Sequence, residues 1–247
     1  MPAVAEPDLL LPDWPAPPGV RAVMTLRTGG VSGGPYASLN LGDHVGDAPE
    51  AVTGNRRRLR EALALPAEPL WLEQVHGTDV ARFGGPDRPR ADAAVALEPG
   101  QACAVMVADC LPVLLADRQG GCVAAAHAGW RGLAAGVLEA AVAALPVDPS
   151  RLTAWLGPAI GPEAFEVGPE VREAFVAVDP DAAEAFRPGT GDRWLGDVYH
   201  LARQRLARAG VADVHGGGLC TVSDPARFFS YRRDGVTGRM AALVWRE

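Results

Sequence analysis

The stretch between residues 102 and 128 constrains the fold most strongly, because it holds three apolar runs joined by gaps too short for a helical crossover. The first run covers 102–108, and Pro112 then excludes a regular helix while a second run continues to Asp117. Gly120-Gly121 predicts a turn, and a third run covers 122–126. Strands that follow one another at hairpin-length gaps are not in strict alternation with helices, so the sequence predicts an α+β fold with a mixed or antiparallel sheet, not a doubly wound parallel one.

The remainder of the chain adds helices to this sheet and shows no linker. Apolar residues at i, i+4 spacing follow Trp130 until Pro146, and Pro49 with Glu50 is typical of a helix that begins after Asp47. Six prolines in residues 1–20 indicate an extended lead-in, so we expect a single domain over 21–247. The patterns predict helices over 47–63, 130–145, 170–178 and 197–209, strands over 21–27, 69–75 and 153–156, and a closing hairpin between 228–231 and 239–245.

The charged residues narrow the classes of partner. All 23 basic residues are arginine, which excludes a Schiff-base lysine and a Walker-type phosphate loop. A formal net charge of -7 argues against nucleic acid as a partner. Neither a signal peptide nor a membrane-spanning run is evident, so we expect a cytoplasmic protein whose four cysteines stay reduced. Nothing in the sequence indicates an oligomeric state.

Three potential metal ligands follow predicted strands, namely His76, Cys110 and His127. Two imidazoles and one thiolate are good zinc ligands, and three protein ligands leave the fourth tetrahedral position for water or substrate. The same residues allow a second interpretation, in which Cys110 is a nucleophile and His127 its base. In a third interpretation the histidines are ordinary strand ends and the cysteine is a core residue. The spacing matches no local zinc motif and leaves the three alternatives open.

The segment after His127 is a candidate anion site. A strand that leads through Gly129 into a helix presents free N–H groups at the positive end of the helix dipole, and Arg131 could add a bidentate contact to phosphate. The alternative is that the glycines serve only a tight turn. The basic cluster over 56–60 is typical of a solvated helix face. Asp109 could orient an imidazole, serve as a general base or cap a turn. Five histidines without an H-x-H pair cannot build the clusters of a multicopper oxidase.

Six motifs, in order along the chain, resemble the YfiH family, which has been called laccase-domain, polyphenol oxidase and purine nucleoside phosphorylase. They are SLNLGDHVGD (38–47), QVHG (74–77), ADCLP (108–112), HAGWRG (127–132), GPAIGP (157–162) and FFSYRRDG (228–235). The resemblance covers nearly all of the chain after the lead-in. One departure is Glu163-Ala164-Phe165, where many members have Cys or Lys with an aromatic residue.

The resemblance implies a fold similar to the catalytic domain of a deamidating bacterial toxin, with zinc on His76, Cys110 and His127 as the catalytic centre. It implies phosphorolysis of adenosine, inosine and methylthioadenosine, with some adenosine deamination, so the expected partners are a purine nucleoside and phosphate. Asn40, Arg56 and Arg131 are the expected substrate contacts. The alternatives are a cysteine-dependent hydrolase that edits peptidoglycan precursors and a metal-stabilised binding protein without turnover.

Overall fold

The computed structural model describes residues 6–247, and within them the chain forms thirteen strands and six α-helices. The strands are β1 (Leu9–Leu10), β2 (Val20–Thr25), β3 (Val80–Arg82), β4 (Ala93–Ala96), β5 (Ala102–Val107), β6 (Leu111–Asp117), β7 (Val123–Ala128), β8 (Leu152–Leu156), β9 (Glu166–Val167), β10 (Phe186–Pro188), β11 (Trp194–Gly196), β12 (Asp213–Gly216) and β13 (Met240–Arg246). The helices are α1 (Pro49–Ala62), α2 (Trp130–Ala135), α3 (Val137–Ala143), α4 (Pro169–Val176), α5 (Val198–Arg208) and α6 (Tyr231–Asp234).

Two sheets form the centre of the fold. One has four antiparallel strands in the order β1-β2-β13-β5. The other has six strands in the order β12-β8-β6-β7-β4-β3, and it is mixed, because the two outer pairs are parallel and the inner pairs antiparallel. A small antiparallel sheet, β10-β11-β9, lies apart from these two. The predicted α+β class with a mixed sheet is therefore confirmed.

The layers explain why the central runs are apolar without alternation. In β6, Val113 and Leu115 face the cluster formed with α2 to α5, whereas Leu114 faces the cluster between the two sheets. In β5, Val105 faces that same inner cluster and Met106 faces a third cluster, on the side of α1. Both faces of each sheet are covered, so every position of these strands is buried. Within residues 6–247, no helix is long and apolar enough to span a membrane.

Four predicted elements differ from the structure in their extent or regularity. The helix predicted over 130–145 is divided between α2 and α3 at Gly136, whose φ of 105° is left-handed. The segment 69–75 forms only isolated bridges, at Leu70 and Glu73. Helix α1 begins one residue later than predicted, after Ala48 instead of Asp47. Part of the lead-in pairs as β1 with β2, while residues 1–5 lie outside the described chain.

The predicted closing hairpin is wrong. Strand β13 pairs with β2 on one side and β5 on the other, so no place remains for a hairpin partner. Phe228 and Phe229 are fully buried in the cluster between the sheets but form no strand. Ser230 then accepts a hydrogen bond from the Arg233 N–H and caps α6. The apolar pair had the composition of a strand, but core packing and this cap decide its conformation.

Candidate functional site

The structure brings His76, Cys110 and His127 together. Antiparallel pairing of β6 with β7 places Cys110, just before β6, beside the end of β7 that carries His127. The turn that precedes β3 carries His76, and its Nε2 lies 3.8 Å from the Cys110 sulfur. The potential ligand atoms of the three side chains all lie within 4.8 Å of one another. His127 is buried and His76 exposed, so the cluster opens to solvent on the His76 side.

Asp92 orients both histidines. One of its carboxylate oxygens accepts hydrogen bonds from His127 Nδ1 at 2.8 Å and from the His76 backbone N–H at 2.9 Å. The other accepts the backbone N–H groups of Val75, at 3.1 Å, and Gly77, at 2.7 Å. Because the carboxylate engages Nδ1 of His127, Nε2 is left for a metal, as in carboxylate–histidine–metal arrangements. The sequence analysis missed Asp92, although a lone carboxylate at the start of the apolar run 91–96 is a signal that it needs a buried partner.

Two glycines allow these segments to approach one another closely. A Cβ atom at Gly129 would lie 2.7 Å from His76 Cδ2 and 3.0 Å from the Cys110 sulfur. A Cβ atom at Gly132 would lie 2.9 Å from the Gly77 carbonyl oxygen. The glycines of the HAGWRG motif therefore make room for the His76 turn and the cysteine, in addition to any role in an anion site.

The two most buried members of the cluster stabilise each other's charge. Burial alone would raise the pKa of Cys110, but the charge and hydrogen bonds of His127, with a smaller contribution from His76, lower it to about 6. Burial alone would lower the pKa of His127, but Cys110 and Asp92 raise it to about 9. A thiolate therefore faces an imidazolium when no metal is bound, and the protein has already stabilised the ligand form of the cysteine.

The donor set fits a metal ion that prefers sulfur and nitrogen. In a tetrahedral zinc site, Zn–S and Zn–N bonds of about 2.3 and 2.05 Å separate neighbouring ligand atoms by roughly 3.3–3.6 Å. The 3.8 Å between the Cys110 sulfur and His76 Nε2 is close to that spacing. In the described part of the chain this is the one group of three or more metal-binding side chains near enough to share an ion. His200 lies on α5 and His215 bonds Asp213, so neither supplies a second centre.

Asp109, which precedes the cysteine, is committed to structural bonds. Its carboxylate accepts hydrogen bonds from the Thr221 hydroxyl and the Arg232 N–H, both at 2.6 Å. Its φ of 87° is left-handed, as is the 61° of His76. Non-glycine residues in this conformation cost about 1–3 kcal/mol each and persist where surrounding bonds fix them. Each carboxylate oxygen of Asp109 therefore already accepts one hydrogen bond, and its role as a general base stays a prediction.

Two cavities flank the cluster and share His76, Ala108, Cys110 and Tyr231 in their walls. The first cavity, of about 260 Å³, has a largely apolar wall and is lined further by Trp130, Ile160, Phe165, Val198 and Arg131, with Asp109, Ala128 and Arg232. The second cavity, of about 360 Å³, is lined further by His127, Arg239, His44 and Gln74, with Met106 and Val107. All three potential ligands line the second cavity. The sequence analysis did not single out Arg239 or Tyr231, whose positions depend on long-range packing.

The three predicted substrate contacts occupy different environments. Arg131 is exposed in the wall of the first cavity, where its guanidinium lies 4.3 Å from the centre of the Trp130 ring. Arg56 donates twice to the Leu41 carbonyl and stacks on Trp71. Asn40 is fully buried and bonds both its own loop, at Gly42, and the distant Arg239 N–H. Neither Arg56 nor Asn40 is in the wall of either cavity. Their substrate contacts stay predictions, and the bonds they already make favour holding loops in place.

The α+β fold and the His-Cys-His cluster, a candidate metal site, define the class of protein. Residues 21–247 match the family model described as "Multi-copper polyphenol oxidoreductase laccase". Escherichia coli (strain K12) YfiH, named a purine nucleoside phosphorylase, is 57% identical over 239 residues, 96% of this chain and 98% of that protein. Purine nucleoside phosphorylase PA4543 from Pseudomonas aeruginosa is 59% identical over 96% of this chain and 97% of its own length.

Solved structures agree with the sequence relatives. A crystal structure of a Neisseria meningitidis protein matches with a TM-score of 0.93 and 53% identity, over 97% of this chain and 99% of that one. YlmD from Geobacillus stearothermophilus matches with a TM-score of 0.92 and 34% identity over all of both chains. The chain therefore belongs to the YfiH family, as its motifs indicated.

Proposed function

We propose that this chain is a zinc-dependent purine nucleoside phosphorylase. It acts on adenosine, inosine and methylthioadenosine and releases the free base and ribose 1-phosphate or its methylthio analogue, with adenosine deamination as a side activity of the same site. The observation that carries the proposal is the His-Cys-His cluster between two cavities that each have arginine in a mainly apolar wall, in a chain whose close relatives are named purine nucleoside phosphorylases. We place the reaction in the cytoplasm, in keeping with four free cysteines.

The reaction sets requirements that the two cavities fit. Phosphorolysis breaks the bond between ribose C1′ and the base nitrogen, forms a bond between C1′ and a phosphate oxygen, and leaves a proton on the base. The purine needs apolar surface and the phosphate needs a cation. The first cavity offers both aromatic residues and two arginines, Arg131 and Arg232, and the second offers Arg239. In the first cavity Trp130 and Phe165 offer aromatic surface to the base, and Val198 adds an aliphatic wall.

Zinc is the metal that the donor set favours. One thiolate and two imidazoles suit it, and the five histidines of the chain do not build a multi-histidine copper cluster. Zinc bound to His76, Cys110 and His127 supplies a Lewis acid for an oxygen of substrate or water. The chain itself orients His127 through Asp92 and keeps Cys110 in its thiolate form. Purification without added metal is expected to give about one zinc per chain, and stoichiometric copper with blue colour would contradict this assignment.

Product analysis tests the reaction. Purified protein is incubated with adenosine, with and without phosphate, and the products are separated by chromatography. Adenine and ribose 1-phosphate are expected only with phosphate. Equal release of base without phosphate means hydrolysis and refutes the phosphorylase, whereas inosine as the sole product identifies a deaminase. Protein depleted of metal by a chelator serves as the matched control and should regain activity with zinc.

A second candidate is a cysteine-dependent hydrolase that edits peptidoglycan precursors. The observation that favours it is the lowered pKa of Cys110, whose thiolate is stabilised first by His127, the base of this alternative, and then by His76; a catalytic thiol is activated in the same way. A covalent adduct on Cys110, formed with a precursor by metal-free protein, identifies this activity. A metal-stabilised binding protein is the remaining alternative, and absence of turnover on both substrate classes supports it.

A further inference from the structure

Arg239 is a partly buried cation in the wall of the second cavity, together with all three potential metal ligands. No carboxylate in residues 6–247 forms an ion pair with it, whereas buried Arg205 pairs with Glu139 at 3.0 Å. Burial lowers the pKa of Arg239, and the negative charges of Cys110 and Asp109 oppose this shift, so the guanidinium stays charged. A desolvated guanidinium without a carboxylate partner is the arrangement that an anionic ligand completes.

The guanidinium is anchored on one side only. Nη1 donates to the carbonyl oxygens of Thr237, at 3.0 Å, and Gly238, at 3.1 Å. Nε and Nη2 have no hydrogen-bond partner among residues 6–247. These two nitrogens form the edge with which arginine binds two oxygens of a phosphate or carboxylate in parallel. The anchored Nη1 limits side-chain motion, so less conformational entropy is lost when the free edge binds a ligand.

The backbone around Arg239 is equally well fixed. Asn40 Oδ1 accepts the Arg239 N–H at 2.8 Å, and the Leu41 N–H donates to the Arg239 carbonyl at 3.0 Å. A Cβ atom at Gly42 would lie 2.7 Å from Arg239 Cγ, so glycine is needed where the arginine side chain passes. A Cβ atom at Gly238 would lie 3.0 Å from Asn40 Cβ. The SLNLGD motif therefore positions this arginine, although it is about 200 residues away in the sequence.

We propose that Arg239 binds the phosphate of the phosphorolysis reaction through Nε and Nη2, in the second cavity beside the metal ligands. This inference rests on the proposed function and differs from the phosphate position at Gly129–Gly132 that the sequence suggested. The first cavity also has arginine in its wall, but Arg131 is exposed and stacks on Trp130. Arg232 donates to the carbonyl oxygens of Ala164 and Glu166, so we assign the first cavity to the nucleoside. Phosphate and purine then reach C1′ from cavities on two sides of the metal cluster.

The test compares three arginine variants of the zinc-loaded protein, Arg239→Gln, Arg131→Gln and Arg203→Gln. Arg203 is the matched control, because it also donates to two carbonyl oxygens, of Val214 and Gly216, but lies outside both cavities. Hydrogen bonds to a charged group contribute about 1.5–3 kcal/mol, so Arg239→Gln should raise the phosphate KM roughly 10- to 100-fold. We expect the adenosine KM to change less than about threefold. Arg203→Gln should leave both constants unchanged.

Binding of inorganic phosphate alone, measured by isothermal titration calorimetry, separates this inference from the proposed function. Weaker phosphate binding by Arg239→Gln with unchanged zinc content supports the site, even if no phosphorolysis is found. Phosphate affinity equal to wild type, or a larger loss in Arg131→Gln, overturns it. If Arg239→Gln does not fold, Arg239→Lys keeps the charge but not the two-donor edge. That variant is expected to bind phosphate at least about threefold more weakly, and wild-type affinity would also overturn the inference.

Discussion

Replacement of Asp92 by asparagine tests how the metal cluster is built. Four N–H groups donate to this carboxylate, two to each oxygen: His127 Nδ1 and His76 N to one, Val75 N and Gly77 N to the other. An asparagine has one acceptor oxygen, so either orientation of its amide leaves two donors facing an NH2 group. Each unsatisfied buried donor costs about 1–3 kcal/mol, which gives about 2–6 kcal/mol before relaxation.

The orientation of the amide decides which part of the cluster suffers. If the NH2 group faces His127, the imidazole is driven to accept at Nδ1 and carry its proton on Nε2, the nitrogen needed for the metal. If it faces Val75 and Gly77, the turn that carries His76 loses two bonds. Because His76 is exposed, part of the cost is relieved by movement of the turn. The loss in zinc affinity should then be about 10- to 100-fold, or about 1.4–2.7 kcal/mol.

Competition with a chromophoric chelator measures the zinc affinity, and thermal unfolding reports stability. Asp117→Asn is the matched control: Asp117 is also fully buried and accepts backbone N–H groups, from Gln119 and Gly121, but it pairs with Arg151 away from the cluster. We expect Asp117→Asn to lower Tm without changing zinc affinity. Zinc affinity of Asp92→Asn within about threefold of wild type, or an equal loss in both variants, would refute the reasoning.

Three further predictions concern the cysteine and its neighbours. Gly129→Ala should reduce zinc content, because the new Cβ would lie 2.7 Å from His76 Cδ2, whereas Gly33→Ala, with open space around its Cβ, should not; equal zinc in both contradicts the packing argument. In a Cys220→Ser background, iodoacetamide should modify Cys110 slowly with zinc bound and faster after chelation. In the metal-free protein the rate of modification should rise with pH to a plateau, with a midpoint near 6, because the thiolate is the reactive form. A midpoint near the ordinary value of about 8.5 would contradict the charge pairing with the histidines. Cys110→Ser should lose zinc and turnover together; full zinc content without turnover would favour a nucleophile.

The sequence predicted the sheet better than it predicted the irregular segments. The strands over 102–128 were evident from apolar runs and turn residues, and burial of both sheet faces explains why those runs lack alternation. The position of β13 between β2 and β5 was not predictable, because long-range pairing has no local signal. Phe228 and Phe229 have strand-forming composition but serve core packing, so propensity was overridden by tertiary contacts.

Some residues of the candidate site could be predicted from the sequence and others could not. Residues that offer metal-binding groups directly after apolar runs could be selected from the sequence, and the three so selected lie together. Asp92 and Arg239 could not, because their importance depends on partners far along the chain: Asp92 bonds His127 from 35 residues away, and Arg239 bonds Asn40 from 199 residues away. For Asp92 the sequence offered one signal, a lone carboxylate within an apolar run.

The cluster is fixed by polar bonds from outside the strand ladders. His76, a potential metal ligand, and Asp109, which precedes the ligand Cys110, both have left-handed backbone conformations. The turn of His76 is held by Asp92, and Asp109 is held by bonds of its own carboxylate to Thr221 and to the backbone of Arg232. Arg232 lies in α6, next to Tyr231, which lines both cavities. The bond from the Arg232 N–H to Asp109 therefore connects this shared wall to the segment that carries Cys110. A ligand that shifts Tyr231 should therefore displace Asp109 and the neighbouring Cys110 as well. Substitutions in the sheet cores, in contrast, should lower stability with little effect on the geometry of the metal ligands.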